Sequence, residues 1–198
     1  MATTTTIRLP DELKARVAAA AERAGTSPHG FILAAIAEKA AQDEQRLAFE
    51  ALAQQRCDKL VASGRSVPWS EMRRYLEARA SGPRRRAPPP GSWRADGAGM
   101  ATRIEFAPEV VDDFDRIIDH LVRHGVADAA ARIEAIVAAI DVLQLNPLIG
   151  WPAGAANRES VIGQRSRGCL ALYRCIAAID AVFVLAIRSQ SEAGYAAR

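Results

Sequence analysis

The stretch 81–99 constrains this chain more than any other feature. It reads Ser-Gly-Pro-Arg-Arg-Arg-Ala-Pro-Pro-Pro-Gly-Ser-Trp-Arg-Ala-Asp-Gly-Ala-Gly. Proline removes hydrogen-bond donors and fixes φ, glycine adds backbone freedom, and three adjacent arginines repel one another. Such a segment buries too little to fold by itself and reads as a linker. Fully extended it spans roughly 60 Å at about 3.3 Å per residue. A fresh periodic pattern begins after Met100, so the 198 residues read as two short parts rather than one domain. A methionine at that point suggests a second reading frame that once began there; an ordinary linker methionine is the alternative.

Charge and cysteines narrow the class. The net charge is +3, and 83–99 carries that excess alone, with four arginines against one aspartate. Beyond it, 100–145 is acidic and 146–198 basic, so the second part is polarised. The basic pI says little by itself about nucleic acid. No run of eighteen apolar residues is present, so no transmembrane helix is expected. The N-terminus lacks a basic region followed by an apolar one, so no secretory signal is expected. Cys57, Cys169 and Cys175 form an odd set without metal-like spacing. A cytoplasmic chain without metal or cofactor is expected.

Residues 4–9 alternate, with Thr4, Thr6 and Arg8 on one face and Thr5, Ile7 and Leu9 on the other, which predicts a short strand. Pro10 ends it, and Asp11-Glu12 suit a helix start. Leu13, Val17 and Ala20/Ala21 share one face of a helix that Gly25 stops. Thr26-Ser27-Pro28 restarts a helix with a hydroxyl cap and proline near the first position. Phe31, Ile32, Ala35 and Ile36 form its apolar stripe. One short strand and two short helices make no stable core alone. The strand needs a partner, and the same strand of a second copy is the one at hand.

Thr-Ile-Arg-Leu-Pro-Asp-Glu-Leu, Ala-Gly-Thr-Ser at 24–27 and the following Phe-Ile resemble the CopG/ParD group of ribbon-helix-helix antitoxins, which are obligate dimers. The resemblance implies a homodimer through the N-terminal strand and binding to operator DNA. Its two-stranded ribbon would enter the major groove. Thr4, Thr6 and Arg8 would face the base edges, and the helix start at Thr26 and Ser27 would take a phosphate. His29 is read as a surface or packing residue.

Residues 38–80 continue helical and charged. Leu47, Leu52 and Leu60 lie among polar residues, Ser63-Gly64 interrupts, and a further helix opens at Trp69 or Ser70. It clusters Trp69, Met72, Tyr75 and Leu76, large anchors with no core of their own to enter, which favours an interface. In ParD-like antitoxins the tail wraps the toxin, so the resemblance gives 45–80 a neutralising role. An extra helix on its own dimer is the alternative.

In the second part Arg103-Ile-Glu-Phe106 alternates as a strand. Pro108 opens a helix with Val111, Phe114, Ile117, Ile118 and Leu121 at helical spacing. Asp112, Asp113, Asp115 and Asp119 read as its solvated face. His120 and His124 sit four apart, as a zinc pair would, but lack the remaining ligands. A second helix covers roughly 127–145, Asn146-Pro147 stops it, and Gly150-Trp151-Pro152 with Gly154 reads as a loop. Strands follow at 159–163, 168–177 and 181–188, with a turn at Ile179-Asp180. The expected fold class is α+β: a ribbon-helix-helix with a helical tail and a linker, then a β-α-α-β-β-β domain with helices against an antiparallel sheet.

That order, with Asn-Pro-Leu-Ile-Gly, Arg158-Glu-Ser-Val-Ile-Gly, Leu172-Tyr-Arg and Val184-Leu-Ala-Ile-Arg, resembles the ParE/RelE toxin superfamily. The resemblance implies one of two activities on one fold. ParE-like members inhibit DNA gyrase, and RelE-like members are ribosome-dependent endoribonucleases that cut messenger RNA. Cleavage needs a base, an acid and cations. Arg158, Arg188 and Tyr195 would be the candidates for it. Arg158, Arg165, Arg167, Arg174 and Arg188 would form the face toward the target or the antitoxin, or a plain solvated face. Where the superfamily tail has histidine and arginine, this chain has Ser189 and Ser191. Serine replaces neither a proton shuttle near neutral pH nor a cation, which argues against a nuclease.

The sequence therefore reads as a fused toxin–antitoxin pair. Residues 1–44 are the DNA-binding part, 45–80 the neutralising tail, 81–99 the linker and 100–198 the toxin part. The tail would act in cis or on the partner of the dimer, with gyrase the toxin's target and proteolysis of the antitoxin part the route of release. A toxin decayed to leave a repressor, and the endoribonuclease, are the alternatives.

Overall fold

Pro10 and the acidic pair after it open the first helix, α1 (Asp11–Arg23), whose start has no side-chain cap. Its end is a left-handed glycine stop. Gly25 has φ +66°, its N–H donates to Glu22 O (3.1 Å), and the N–H of Thr26 donates to Ala21 O (3.0 Å). These are the two bonds of the Schellman motif. The chain then enters α2 (Pro28–Ser63), capped by Ser27, whose Oγ accepts the Gly30 N–H at 3.1 Å. That satisfies one of the donors a helix start leaves free. No proline or glycine interrupts α2 beyond Gly30, so one helix of 36 residues forms.

The computed structural model describes residues 6–80, 86–93, 102–123, 129–154, 156–162 and 168–190. By internal contacts the chain divides into two compact units, Met1–Gln45 and Arg46–Arg198. In the first, Ala21 is the one buried hydrophobic among the described residues, and Ile7, Leu13, Leu33 and Ile36 are exposed. The strand expected at 4–9 is absent over its described part, 6–9. A strand is defined by its neighbour's backbone, and a single chain supplies none there. Thr4 and Thr5 lie outside the described residues.

The second unit holds the rest of α2, then β1 (Arg65–Pro68), α3 (Trp69–Ala80), β2 (Gly91–Ser92), β3 (Arg103–Phe106), α4 (Val110–Arg123), α5 (Ala129–Leu145), β4 (Trp151–Ala153), β5 (Asn157–Ile162), β6 (Cys169–Ile176) and β7 (Ala181–Ser189). Gly64 (φ +61°) turns the chain from α2 into β1. The seven strands form one sheet in the order β2-β1-β3-β7-β6-β5-β4. β3 and β7 pair in parallel, and every other pair is antiparallel. β7 lies inside this order, and Ala181 through Arg188 are all buried. α4 buries Val110, Val111, Phe114, Ile117, Ile118 and Leu121, and α5 buries Ile133, Ile136, Val137, Ile140 and Leu143. The helical spacing of these residues is what turns one face of each helix into the core.

Three strands depart from the sequence reading. Trp151–Ala153, read as loop, is the edge strand β4, paired with β5 through Trp151↔Glu159. The C-terminal order is therefore β-α-α-β-β-β-β. Arg65–Pro68, read as the break between two helices, is β1, which adds to β3 through Val67↔Phe106 and Pro68↔Glu105. Gly91–Ser92, inside the expected linker, is β2, which adds to β1 through Arg65↔Ser92 and Ser66↔Gly91. A sheet edge offers unpaired N–H and C=O groups to whatever backbone lies beside it. A short segment can pair there without burying anything of its own.

Candidate functional site

A dense set of side-chain contacts joins described residues of 46–93 to the domain that begins at β3. α2 presents Phe49, Ala53, Arg56, Cys57 and Leu60 as its buried stripe. α3 presents Trp69, Met72, Tyr75, Leu76 and Arg79. Met72 and Leu76 are completely buried, and the Trp69 ring lies 5.6 Å from that of Phe106. Trp69 Nε1 donates to Asp141 Oδ1 at 2.8 Å, and Arg73 donates to both oxygens of the same carboxylate. The Arg73 guanidinium is held above its ordinary pKa by its bond to Glu77 and by Asp141.

The acidic run on α4, expected as a solvated face, is split. Asp112 is exposed, whereas Asp113 and Asp115 are buried. Each buried carboxylate meets an arginine from upstream. Arg56 makes a two-pronged pair with Asp113. Arg79 pairs with Asp115 and Asp119, and the Tyr75 hydroxyl donates to Asp115 Oδ1 at 2.6 Å. Burial works against the charge of Arg79, but Asp119 and Asp115 more than offset it and leave its pKa raised. A buried carboxylate persists where a paired, hydrogen-bonded cation faces it.

Of the basic strand residues that are described, Arg188 is buried and Arg158 and Arg174 are half-buried. The Arg188 guanidinium lies 4.3 Å from the centroid of the Phe49 ring. Arg174 donates to Gln54 Oε1 (2.8 Å), Cys57 Sγ (3.3 Å) and Asn157 Oδ1 (3.0 Å). Arg158 donates to the Leu148 carbonyl at 2.8 Å. Glu159 is pushed up in pKa by burial, with Arg188 opposing and Glu50 of α2 adding to the rise. Arg165, Arg167, Ser191 and Tyr195 lie outside the described residues, and Ser189 ends β7 opposite Cys169. Thr6, Arg8, Thr26 and Ser27 are exposed in the first unit, and Thr4 is not described. His120 is exposed on α4, and His124 is outside the described residues. Among the described residues no group of three or more potential metal ligands occurs, and no helix is long and apolar enough to cross a membrane.

Part of the expected linker completes this cover. The Trp93 N–H donates to Gly64 O at 2.7 Å, and Arg65 Nη2 donates to Pro90 O at 2.8 Å. The Trp93 ring stands edge-on to Phe183 at 5.7 Å and lies under Arg103 at 5.5 Å. Residues 90–93 thus close the outer side of β1 and tie it to β3 and β7.

At the β1–β3 seam, Ser66 Oγ donates to Glu105 Oε2 at 2.8 Å. Burial raises the Glu105 pKa above its ordinary 4.5, with Ser66 and Arg103 opposing. A carboxyl whose folded pKa is raised stabilises the fold below its unfolded pKa, and loses that contribution as pH rises through the folded one. Glu105→Gln keeps an acceptor for Ser66 and removes the buried charge. It is expected to raise the melting temperature at pH 7 and to have no such effect near pH 4. Paired thermal melts at the two pH values measure this.

Sequence reasoning missed Arg56, Arg79, Asp113, Asp115 and Glu105. For Arg56 and Arg79 the available signal was position, since each falls on the helical stripe of the apolar residues around it.

No curated protein and no solved structure matches the chain. Residues 104–194, from the second residue of β3 to beyond β7, match the family model of the ParE toxin of type II toxin–antitoxin systems, parDE, so this part of the chain is similar to a ParE toxin.

Proposed function

We propose that the chain is a toxin–antitoxin module in which residues 45–80 neutralise the ParE-like part in the same polypeptide. One observation carries this reading. α2 and α3 place two arginines, an apolar stripe and an added strand onto the domain similar to ParE, and cover Arg174 and Arg188 on its strands. Anchors buried at a well-packed centre with charge pairs around them are the anatomy of a strong interface. Released, the toxin part acts on DNA gyrase.

Residues 1–44 act as the repressor. They dimerise, pair their N-terminal strands and bind operator DNA through Thr4, Thr6 and Arg8, with Thr26 and Ser27 on a phosphate. Support comes from a first unit with almost no core of its own. Val17, Phe31, Ile32, Ala35 and Ile36 line an open apolar groove of about 430 Å³, which a second copy would fill.

Expression of 100–198 beside the full chain tests the whole reading. The truncated form is expected to arrest growth and to block gyrase supercoiling in vitro, while the full chain does neither. Cleavage of translated messenger RNA by 100–198 would instead make it a ribosome-dependent endoribonuclease. Growth unaffected by either form would leave a repressor with a decayed toxin, in keeping with Ser189 and Ser191.

A further inference from the structure

β7 outlasts its parallel neighbour. β3 ends at Phe106 opposite Val184, and the Ala107 N–H makes the last bond to that strand, on Val184 O at 2.9 Å. From Leu185 onward α4 takes the place of β3. Asp113 Oδ2 accepts the Ile187 N–H at 3.0 Å, so the carboxylate caps a strand edge and is held in orientation by it. The Leu185 carbonyl, two residues earlier, faces the same gap. Three acceptors, Asp113 Oδ1, Asp113 Oδ2 and Leu185 O, thus converge, and all three belong to the ParE-like part. The ligand in that gap is Arg56. Its Nη2 donates to Oδ1 at 3.0 Å and its Nη1 to Oδ2 and to Leu185 O at 3.1 Å.

We propose that Asp113 and the Leu185 carbonyl form a guanidinium-specific binding site, through which the toxin-like part selects an arginine-bearing helix as its cover. This rests on the reading of 45–80 as the neutralising segment and names the side chain that segment must carry. The geometry demands guanidinium. A planar fork donates in parallel to both carboxylate oxygens and has a further N–H for the carbonyl, whereas an ammonium is a compact point charge on a flexible stem. The site is buried, with Arg56 and Asp113 both nearly inaccessible, so an imperfect donor set is not repaired by water. Arg79 does the equivalent on another side of α4, held by Asp115 and Asp119. Residues two apart on a helix point roughly 200° from one another, so α4 is gripped from both sides by arginines of one segment.

Chemical rescue in the full chain is the test. Arg56→Ala vacates the site, and methylguanidinium is titrated in while the Ile187 amide and the Asp113 carboxyl are followed by NMR. Saturable shifts of both signals are expected, with amide protection returning over 53–60. Methylammonium at equal concentration is expected to produce neither. Absence of saturation, or an equal response to methylammonium, overturns the proposal. Arg56→Lys, which keeps the stem and the charge, gives a second measurement. Amides of 53–60 are expected to exchange at least tenfold faster than in the native chain, and native exchange rates overturn the proposal. Neither readout uses toxicity. Saturable binding without growth arrest by 100–198 keeps the site and retires the toxin reading; growth arrest without saturable binding does the reverse.

Discussion

Asp113→Ala is expected to destabilise the 46–198 unit by about 3–5 kcal/mol, the usual range for breaking a buried ion pair from one side. The side chains of Arg56 and Asp113 are 9% and 5% exposed. Removing the carboxylate strands the guanidinium with one remaining acceptor, Leu185 O, and takes the partner from the Ile187 N–H. Each loss adds desolvation that water cannot relieve. Asp113→Asn, which keeps an acceptor oxygen, is expected to cost less. The double variant Asp113→Ala with Arg56→Met is expected to recover part of the loss, because an apolar pair of similar volume is often neutral in place of a buried ion pair. Urea unfolding followed by tryptophan fluorescence measures this directly, since Trp69, Trp93 and Trp151 all lie in the second unit. A loss under about 1 kcal/mol would put the pair in the class of surface salt bridges and contradict its burial.

That pair also marks where the sequence stopped being legible. The helices of the C-terminal part follow from apolar periodicity alone, and the start of α2 from Thr26-Ser27-Pro28. Those signals are local, because capping and helical spacing act within a turn or two. Asp113 and Asp115 carry no local signal. Their partners are 57 and 36 residues upstream, and an acidic run near a helix start satisfies the helix dipole whether or not it is buried. Leu47 and Leu52 were equally misleading. Both are exposed, while the buried stripe of α2 runs through Arg56 and Cys57. A helix covering a partially charged surface buries what matches that surface, and hydrophobicity alone does not report the match.

The stretch 81–99 shows the same limit in another form. Its composition argues that it cannot build a core of its own. Composition does not say what edge lies beside it. Gly91 and Ser92 need only backbone to pair with β1, and Trp93 finds its packing on Phe183 and Arg103. The lone tryptophan among prolines, arginines and glycines was the clue. β1 and β4 were hidden for a simpler reason: four and three residues, each containing a proline, are too few to display a period of two. The strand expected at 4–9 asks for a partner that a single chain does not contain.

Met72→Asp combined with Leu76→Asp is expected to lift α3 off the domain and make the full chain growth-inhibitory. Both positions are completely inaccessible and lie four apart on one helical face, so the two carboxylates would repel each other as well as the apolar surface. An isolated ionised group is not retained in such a site, and the net stability of a domain is only about 5–15 kcal/mol. Detachment of α3 is the expected outcome: its bonds from Trp69 and Arg73 to Asp141 lie partly at the surface, and the buried contacts of Tyr75 and Arg79 with Asp115 are left to hold a helix whose apolar face no longer fits. A loss of about 3 kcal/mol raises the uncovered fraction by roughly two orders of magnitude. Induced cultures and a gyrase supercoiling assay read the effect, and amide protection of β5, β6 and β7 shows whether the sheet survives. Leu76→Met, which conserves volume, is expected to stay tolerated. If the double variant keeps a protected sheet, exchanges freely through α3 and still leaves growth untouched, then cover by α3 is not what silences this domain. The tail at Ser189 and Ser191 then becomes the physical reason to look for a toxin that no longer acts.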